Sequence, residues 1–122
     1  MKNYREMVVH GLQLMQIEIR SPAAAQEIMG TVTMCMAGYI EDPKLVKCGC
    51  ELFSYLCAGY GKDADGRKHG MATVGAIEVI TDALKKHPMD RGVQFAALRA
   101  INDTCRGWDD SCEWRKQQAC DF

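Results

Sequence analysis

Seven cysteines are the side chains of this 122-residue chain with the greatest potential for chemistry. They are Cys35, Cys48, Cys50, Cys57, Cys105, Cys112 and Cys120. A metal site or a redox pair requires cysteine sulfurs that converge on one point. Cys48 and Cys50 are two residues apart, which on a helix turns their side chains about 200° away from each other. No C-x-x-C pair occurs, so the usual zinc spacings are missing from the sequence.

The cysteines are better explained as reduced thiols, most of them in the core. Cys50 and Cys57 are seven residues apart and share one helical face, as core packing requires. An odd count within helical patterns does not suit a secreted disulfide framework and favours a reducing intracellular compartment, the cytoplasm above all. One alternative stays open: Cys105, Cys112 and Cys120 surround a predicted loop at Trp108 and could serve a thiol-based redox or metal-binding function.

Other catalytic groups are scattered in the sequence. The three histidines, His10, His69 and His87, fall in three different elements, and no nucleophile or carboxylate pair accompanies them. The stretch Gly59-Tyr60-Gly61-Lys62 lacks the spacing of a phosphate-binding loop. We therefore expect no enzymatic activity, no cofactor and no metal ion.

Composition and charge exclude two further classes of protein. Lys and Arg number 15 against 16 Asp and Glu, a net charge of -1, so there is no basic excess to bind a nucleic acid backbone. No apolar stretch approaches the roughly 20 residues that span a bilayer, so no membrane insertion is expected. A chain of this length is expected to form one domain over residues 1–122.

Prolines and capping residues indicate where helices begin and end. Ser21-Pro22 and Asp42-Pro43 each combine a capping residue with proline at the first helical position. His87-Pro88 ends a helix, because the residue before proline avoids helical geometry, and Asp90 caps the next one. Two loops are expected, at 59–66 and 106–111.

Between these signals the apolar residues recur at helical spacing. The stripes comprise Leu45, Cys48, Leu52, Tyr55 and Leu56; Ile77, Ile80, Ala83 and Leu84; and Val93, Ala97, Ala100, Ile101 and Cys105. No alternating strand pattern occurs. The sequence predicts an all-α chain of about eight helices.

The predicted helices form an internal repeat. The segment 30–37 matches 75–82 at an offset of 45 residues, and each glycine, Gly30 or Gly75, is expected to separate a short first helix from a second. The expected division is a partial repeat at 1–20, repeats at 21–61 and 66–107, and the first helix of a further, truncated repeat at 110–122. A period in the forties is typical of a helical solenoid.

The best-preserved repeat resembles the armadillo family. The segment from Gly75-Ala76-Ile77 through His87-Pro88 to Val93-Gln94 and Ala100-Ile101 is similar to the family consensus G-A-I-x-x-I … H-P … V-Q-x-x-A-x-x-A-L. The resemblance implies a right-handed α-solenoid of three-helix repeats that binds proteins along the concave ridge of its third helices.

Family members that grip extended peptides hold them with asparagines and tryptophans on that ridge. In this sequence the asparagine position falls on Leu14, Tyr55 and Asp103, and the tryptophan position falls on His10, Glu51 and Arg99. The peptide-binding asparagines and tryptophans of the family are therefore missing. We expect these six residues to form a mixed polar ridge that binds a protein of mixed charge. Arg99 and Asp103 are also spaced to pair with each other.

The predicted ends of the array expose apolar faces, because each repeat buries its apolar side against a neighbour. A protein partner in a multi-subunit complex, or self-association, is expected to cover them. The function predicted from the sequence is a non-enzymatic scaffold for protein–protein interaction. Titrating the thiols with and without a chelator distinguishes it from the cysteine-based alternative.

Overall fold

The computed structural model describes residues 22–57, 62–106 and 112–121, which form six α-helices. They are α1 (Pro22–Gly38), α2 (Pro43–Cys57), α3 (Lys62–Thr73), α4 (Ala76–Lys86), α5 (Arg91–Cys105) and α6 (Cys112–Asp121). No strand occurs within these ranges. The all-α prediction is confirmed.

Two aspartates start the two long helices at the centre of the fold. Asp42 Oδ1 accepts hydrogen bonds from the backbone amides of Lys44, at 3.1 Å, and Leu45, at 3.4 Å. Asp90 Oδ1 accepts one from the amide of Val93 at 3.1 Å. Each carboxylate therefore satisfies amides that have no partner within the first turn of its helix. The predicted caps at Asp42 and Asp90 are confirmed, and the third, at Ser21, lies outside the described residues.

The two glycines that the sequence analysis paired have different roles. Gly75 has a φ of 82°, a left-handed conformation that favours glycine, and it separates α3 from α4. Gly30 lies inside α1, which continues without a break to Gly38. The predicted helix break at Gly30 is wrong, because a helix tolerates an isolated glycine for about 1 kcal/mol when its other contacts favour continuation.

The predicted loop at 59–66 is shorter than expected. α3 already begins at Lys62, so at least residues 62–66 are helical. Of the second predicted loop, residues 107–111 lie outside the described residues. α4 ends at Lys86, directly before His87-Pro88, as predicted.

The core lies mainly between α2 and α5, which pack along each other more extensively than any other pair of described helices. α2 contributes Leu45, Leu52, Phe53 and Leu56, all at most 2% exposed, and the side chains of α5 that meet the core are mostly small. Cys50 and Cys57 are fully buried, so their predicted core role is confirmed.

The arrangement of α1 and α2 recurs 48 residues later. Gly38 and Lys86 each end a helix, and helices of 15 residues follow the two capping aspartates. The turns before those aspartates lie side by side: His87 Nε2 is 2.7 Å from the Ile40 carbonyl, and Lys86 pairs with Glu41 at 3.3 Å. The spacing is 48 residues rather than the 45 predicted from the glycines.

Two arginines that are also 48 residues apart, Arg67 and Arg115, each connect a helix to the long helix before it. Arg67 of α3 donates from Nε to the carbonyl of Leu56, near the end of α2, at 2.6 Å. Arg115 of α6 donates from Nε to the carbonyl of Thr104, near the end of α5, also at 2.6 Å. Each guanidinium thus satisfies a carbonyl that the helix end leaves without a partner, and it fixes the following helix against that end.

Candidate protein-binding groove

A groove of about 320 Å³ runs between α2 and α5 on one surface of the fold. Its lining residues are Glu51, Ser54, Tyr55, Phe95, Ala96 and Arg99. The groove lies where the second half of α2 packs beside the first half of α5.

The structure brings together three of the six residues predicted for the concave ridge. Glu51 and Tyr55 line the groove from α2, and Arg99 lines it from α5. Asp103 lies one turn beyond Arg99, with 3.9 Å between Arg99 Nε and Asp103 Oδ2, so the expected pair forms at the outer limit of an ion pair. The two other predicted residues, His10 and Leu14, lie outside the described residues.

Three lining residues were not predicted from the sequence: Phe95, Ser54 and Ala96. Phe95 is 69% exposed although it is a large aromatic side chain, and it lines the groove together with Tyr55, which is 57% exposed. The signal for Phe95 was available, since it lies off the apolar stripe of α5 that runs through Val93, Ala97 and Ala100. Large exposed aromatic side chains are favoured as anchors in protein interfaces.

Ser54 is the second unpredicted residue, and it is buried at the bottom of the groove. The residue is 6% exposed, and its Oγ has no hydrogen-bond partner within the described part of the chain. A hydroxyl group buried without a partner costs about 1–3 kcal/mol.

The two charged side chains of the groove, Glu51 and Arg99, differ in their ion-pair partners. Arg99 Nε lies 3.9 Å from Asp103 Oδ2, at the limit of an ion pair, whereas Glu51 forms no ion pair with any described residue. The side chain of Glu51 is exposed, so its carboxylate is available to a cation at the α2 edge. The groove therefore combines two exposed aromatic side chains with a carboxylate that has no ion pair within the described ranges.

The buried cysteines have the properties of inert thiols. Burial raises the pKa of Cys50 to about 12, with a further contribution from the charge of Glu51. Burial likewise raises the pKa of Cys57 to about 12, although a hydrogen bond to Thr104 and the charges of Lys68 and Arg67 oppose it. A thiol with a pKa this far above neutral pH has almost no thiolate, which is the form that acts as a nucleophile.

The C-terminal cysteines of the alternative hypothesis are only partly described. Cys105 is half-buried, with its Sγ 3.7 Å from the Arg115 carbonyl, and Cys120 is exposed. The side chain of Cys112 lies outside the described residues. Within the described ranges, no three His, Cys, Asp or Glu side chains are placed to hold a metal ion.

Two further observations bear on the class of protein. Among the six described helices, none combines the length and the apolar character needed to cross a membrane. No family model matches the chain, and no curated protein or solved structure matches it either.

Proposed function

We propose that this chain is a non-enzymatic protein-interaction module that holds a segment of a partner protein in the groove between α2 and α5. The single observation that supports this most is the lining of the groove: the rings of Tyr55 and Phe95 are both largely exposed there. An apolar side chain of the partner packs against these rings.

The charge distribution defines the partner further. Glu51 forms no ion pair with a described residue, so a partner residue with positive charge is favoured beside it, at the α2 edge. The preferred segment therefore carries a lysine or arginine beside a large apolar residue. The module acts inside cells in a reducing compartment, where thiols such as the buried Cys50 and Cys57 persist.

The same proposal extends to the architecture. The 48-residue recurrence of capping aspartates, 15-residue helices and arginine contacts supports an armadillo-like solenoid. In that arrangement α2 and α5 are third helices of successive repeats and their groove lies on the concave side. A scaffold subunit of a larger assembly is the function that this surface serves.

Quantitative co-purification from the source cells tests the function. The combined variant Tyr55→Ala and Arg99→Ala changes two exposed side chains, so its helicity should match the wild type in circular dichroism. Met34→Ala is the control, because Met34 is 77% exposed on α1, which does not pack against α5. We expect a stoichiometric partner protein to be retained by wild type and control and lost by the double variant, with affinity reduced at least about 30-fold. A partner set that is the same in all three samples contradicts the proposal.

A further inference from the structure

The imidazole ring of His69 on α3 contacts the indole ring of Trp114 on α6. The two ring centroids are 5.4 Å apart, and the ring planes are inclined to each other by 47°. Both side chains reach the surface, since His69 is exposed and Trp114 is 43% exposed. The ring contact therefore joins α6 to α3, whereas Arg115 joins α6 to the end of α5.

This ring contact is not part of the 48-residue recurrence. Arg115 has a counterpart in Arg67, and both arginines donate to a carbonyl near the end of the preceding helix. Counting back 48 residues, Trp114 corresponds to Gly66, which has no ring. The repeated architecture thus explains the arginine contacts, and it does not explain the contact between His69 and Trp114.

α6 depends on such contacts because few of its side chains are buried. The helix has ten residues, and Arg115 is the only buried one among its described side chains. A helix of this length has little stability of its own. A modest change in one contact therefore changes how often α6 leaves the rest of the fold.

We propose that His69 and Trp114 form a pH-dependent latch, in which protonation of His69 tightens the hold of α3 on α6. An imidazolium ring is attracted to the face of an indole by a cation–π interaction that the neutral ring lacks. Histidine is the side chain whose ordinary pKa places its change of charge between pH 5 and pH 8. The added hold on α6 is present at the acidic end of this range, and it disappears as the pH rises and the ring loses its proton.

Opening of the latch uncovers the end of α5. Arg115 then leaves the carbonyls of Thr104 and Arg106, and Cys105 Sγ loses its contact of 3.7 Å with the Arg115 carbonyl. The pH thus sets how often this end of the fold is accessible. None of these residues lines the groove between α2 and α5, so the proposal is independent of the proposed function.

Other charged groups lie close to the two rings along the chain or on a helix that packs against α3. They are Asp65, Arg67 and Lys68 on α3, Glu113 and Lys116 on α6, and Glu27 on α1. Glu113 and Lys116 pair with each other at 3.3 Å. Carboxylic acids ordinarily titrate below pH 5, and lysine and arginine titrate above pH 10, so a change between pH 5.5 and pH 7.5 indicates a histidine.

The two other helices that pack against α6 have acidic groups as well. Glu78 and Asp82 of α4 line a groove that this helix forms with α1, and Asp103 of α5 lies 3.9 Å from Arg99. These groups are the same in every variant of the test. A double-mutant cycle therefore cancels their contribution and isolates the pair of rings.

Hydrogen exchange of the full chain at pH 5.5 and pH 7.5 measures the opening of α6. Trp114→Leu removes the indole and keeps an apolar side chain, and it is made both in the wild type and in His69→Gln. We follow the amides of residues 117–121, and we compare variants at the same pH so that the chemical exchange rate cancels. In the wild type, we expect Trp114→Leu to accelerate this exchange about two- to fivefold more at pH 5.5 than at pH 7.5. In His69→Gln, the acceleration should be the same at both pH values.

The matched control is Glu113→Gln, which removes the carboxylate next to Trp114 and leaves both rings in place. It should retain the dependence on pH. The proposal is overturned by an equal acceleration at both pH values in the wild type, or by a pH dependence that survives His69→Gln or disappears in Glu113→Gln. Amides of α6 that exchange as fast as those of an unfolded chain at both pH values overturn it too, because no closed helix then exists to be held.

Discussion

Arg115 should control whether the last described helix stays in place. Its side chain is fully buried, and it donates to the Thr104 carbonyl at 2.6 Å and to the Arg106 carbonyl at 3.1 Å. Hydrogen bonds from a charged group contribute about 1.5–3 kcal/mol each. In Arg115→Ala the two carbonyls regain water once α6 moves away, so we expect the free energy of opening α6 to fall by about 2–4 kcal/mol.

Hydrogen exchange with mass spectrometry measures this opening. A 10-residue helix has little stability of its own, so α6 depends on its contacts with the rest of the fold. The expected loss of free energy corresponds to exchange of the α6 amides that is about 30-fold to several hundred-fold faster. Arg115→Lys should recover little of it, because a single ammonium group on a flexible chain does not reproduce two guanidinium contacts.

The control for this prediction is Lys116→Ala in the same helix. Lys116 is exposed and pairs with Glu113 at 3.3 Å, a surface contact worth at most about 1 kcal/mol. Arg67→Ala provides a second comparison, because Arg67 makes the equivalent contact to the Leu56 carbonyl inside the fold. We expect this substitution to lower the global stability measured in urea. The reasoning is refuted if the α6 amides of Arg115→Ala exchange no faster than those of Lys116→Ala.

Three further predictions concern stability. Gly49→Ala should destabilise the chain by about 1–3 kcal/mol in urea, because the new β-carbon would lie 2.7 Å from Met36 Cγ, and the same change should cost less in a chain that already carries Met36→Ala. Asp42→Ala and Asp90→Ala should each lower the free energy of unfolding in urea by about 1 kcal/mol, because each removes the side-chain cap of a helix. Two losses that differ by more than about 1 kcal/mol would contradict the equivalence of the two caps. The pKa of the Cys57 thiol rises from 9.0 in the unfolded chain to about 12 in the fold, so its contribution to stability is complete below pH 9 and disappears as the pH rises toward 12. Cys57→Ala should therefore lose less stability than the wild type between pH 9 and pH 12. An equal loss in both proteins would refute the raised pKa of Cys57.

The positions of the helices were largely predictable because their signals are local. A carboxylate at Asp42 or Asp90 caps the helix that follows, and proline at 88 stops the one before it, whatever the rest of the chain does. Gly30 could not be interpreted in this way. A glycine permits a turn without requiring one, and only the packing of α1 determines that the helix continues there.

The groove was predictable in part. The four-residue spacing of Glu51 with Tyr55, and of Arg99 with Asp103, placed each pair on one helical face. The repeat then indicated that both faces point the same way. The unsatisfied hydroxyl group of Ser54 could not be predicted, because it depends on how closely α5 approaches α2 and on which atoms meet there.

Site-specific photo-crosslinking at Tyr55 tests the central claim most directly. A photoreactive phenylalanine analogue at this position points into the groove, and the same analogue at Met34 of α1 provides the control. After irradiation in the source cells, we predict a covalent adduct with one other protein at Tyr55 and none of that protein at Met34. Adducts that are the same at both positions, or none at Tyr55, would contradict the assignment of the groove as a protein-binding site.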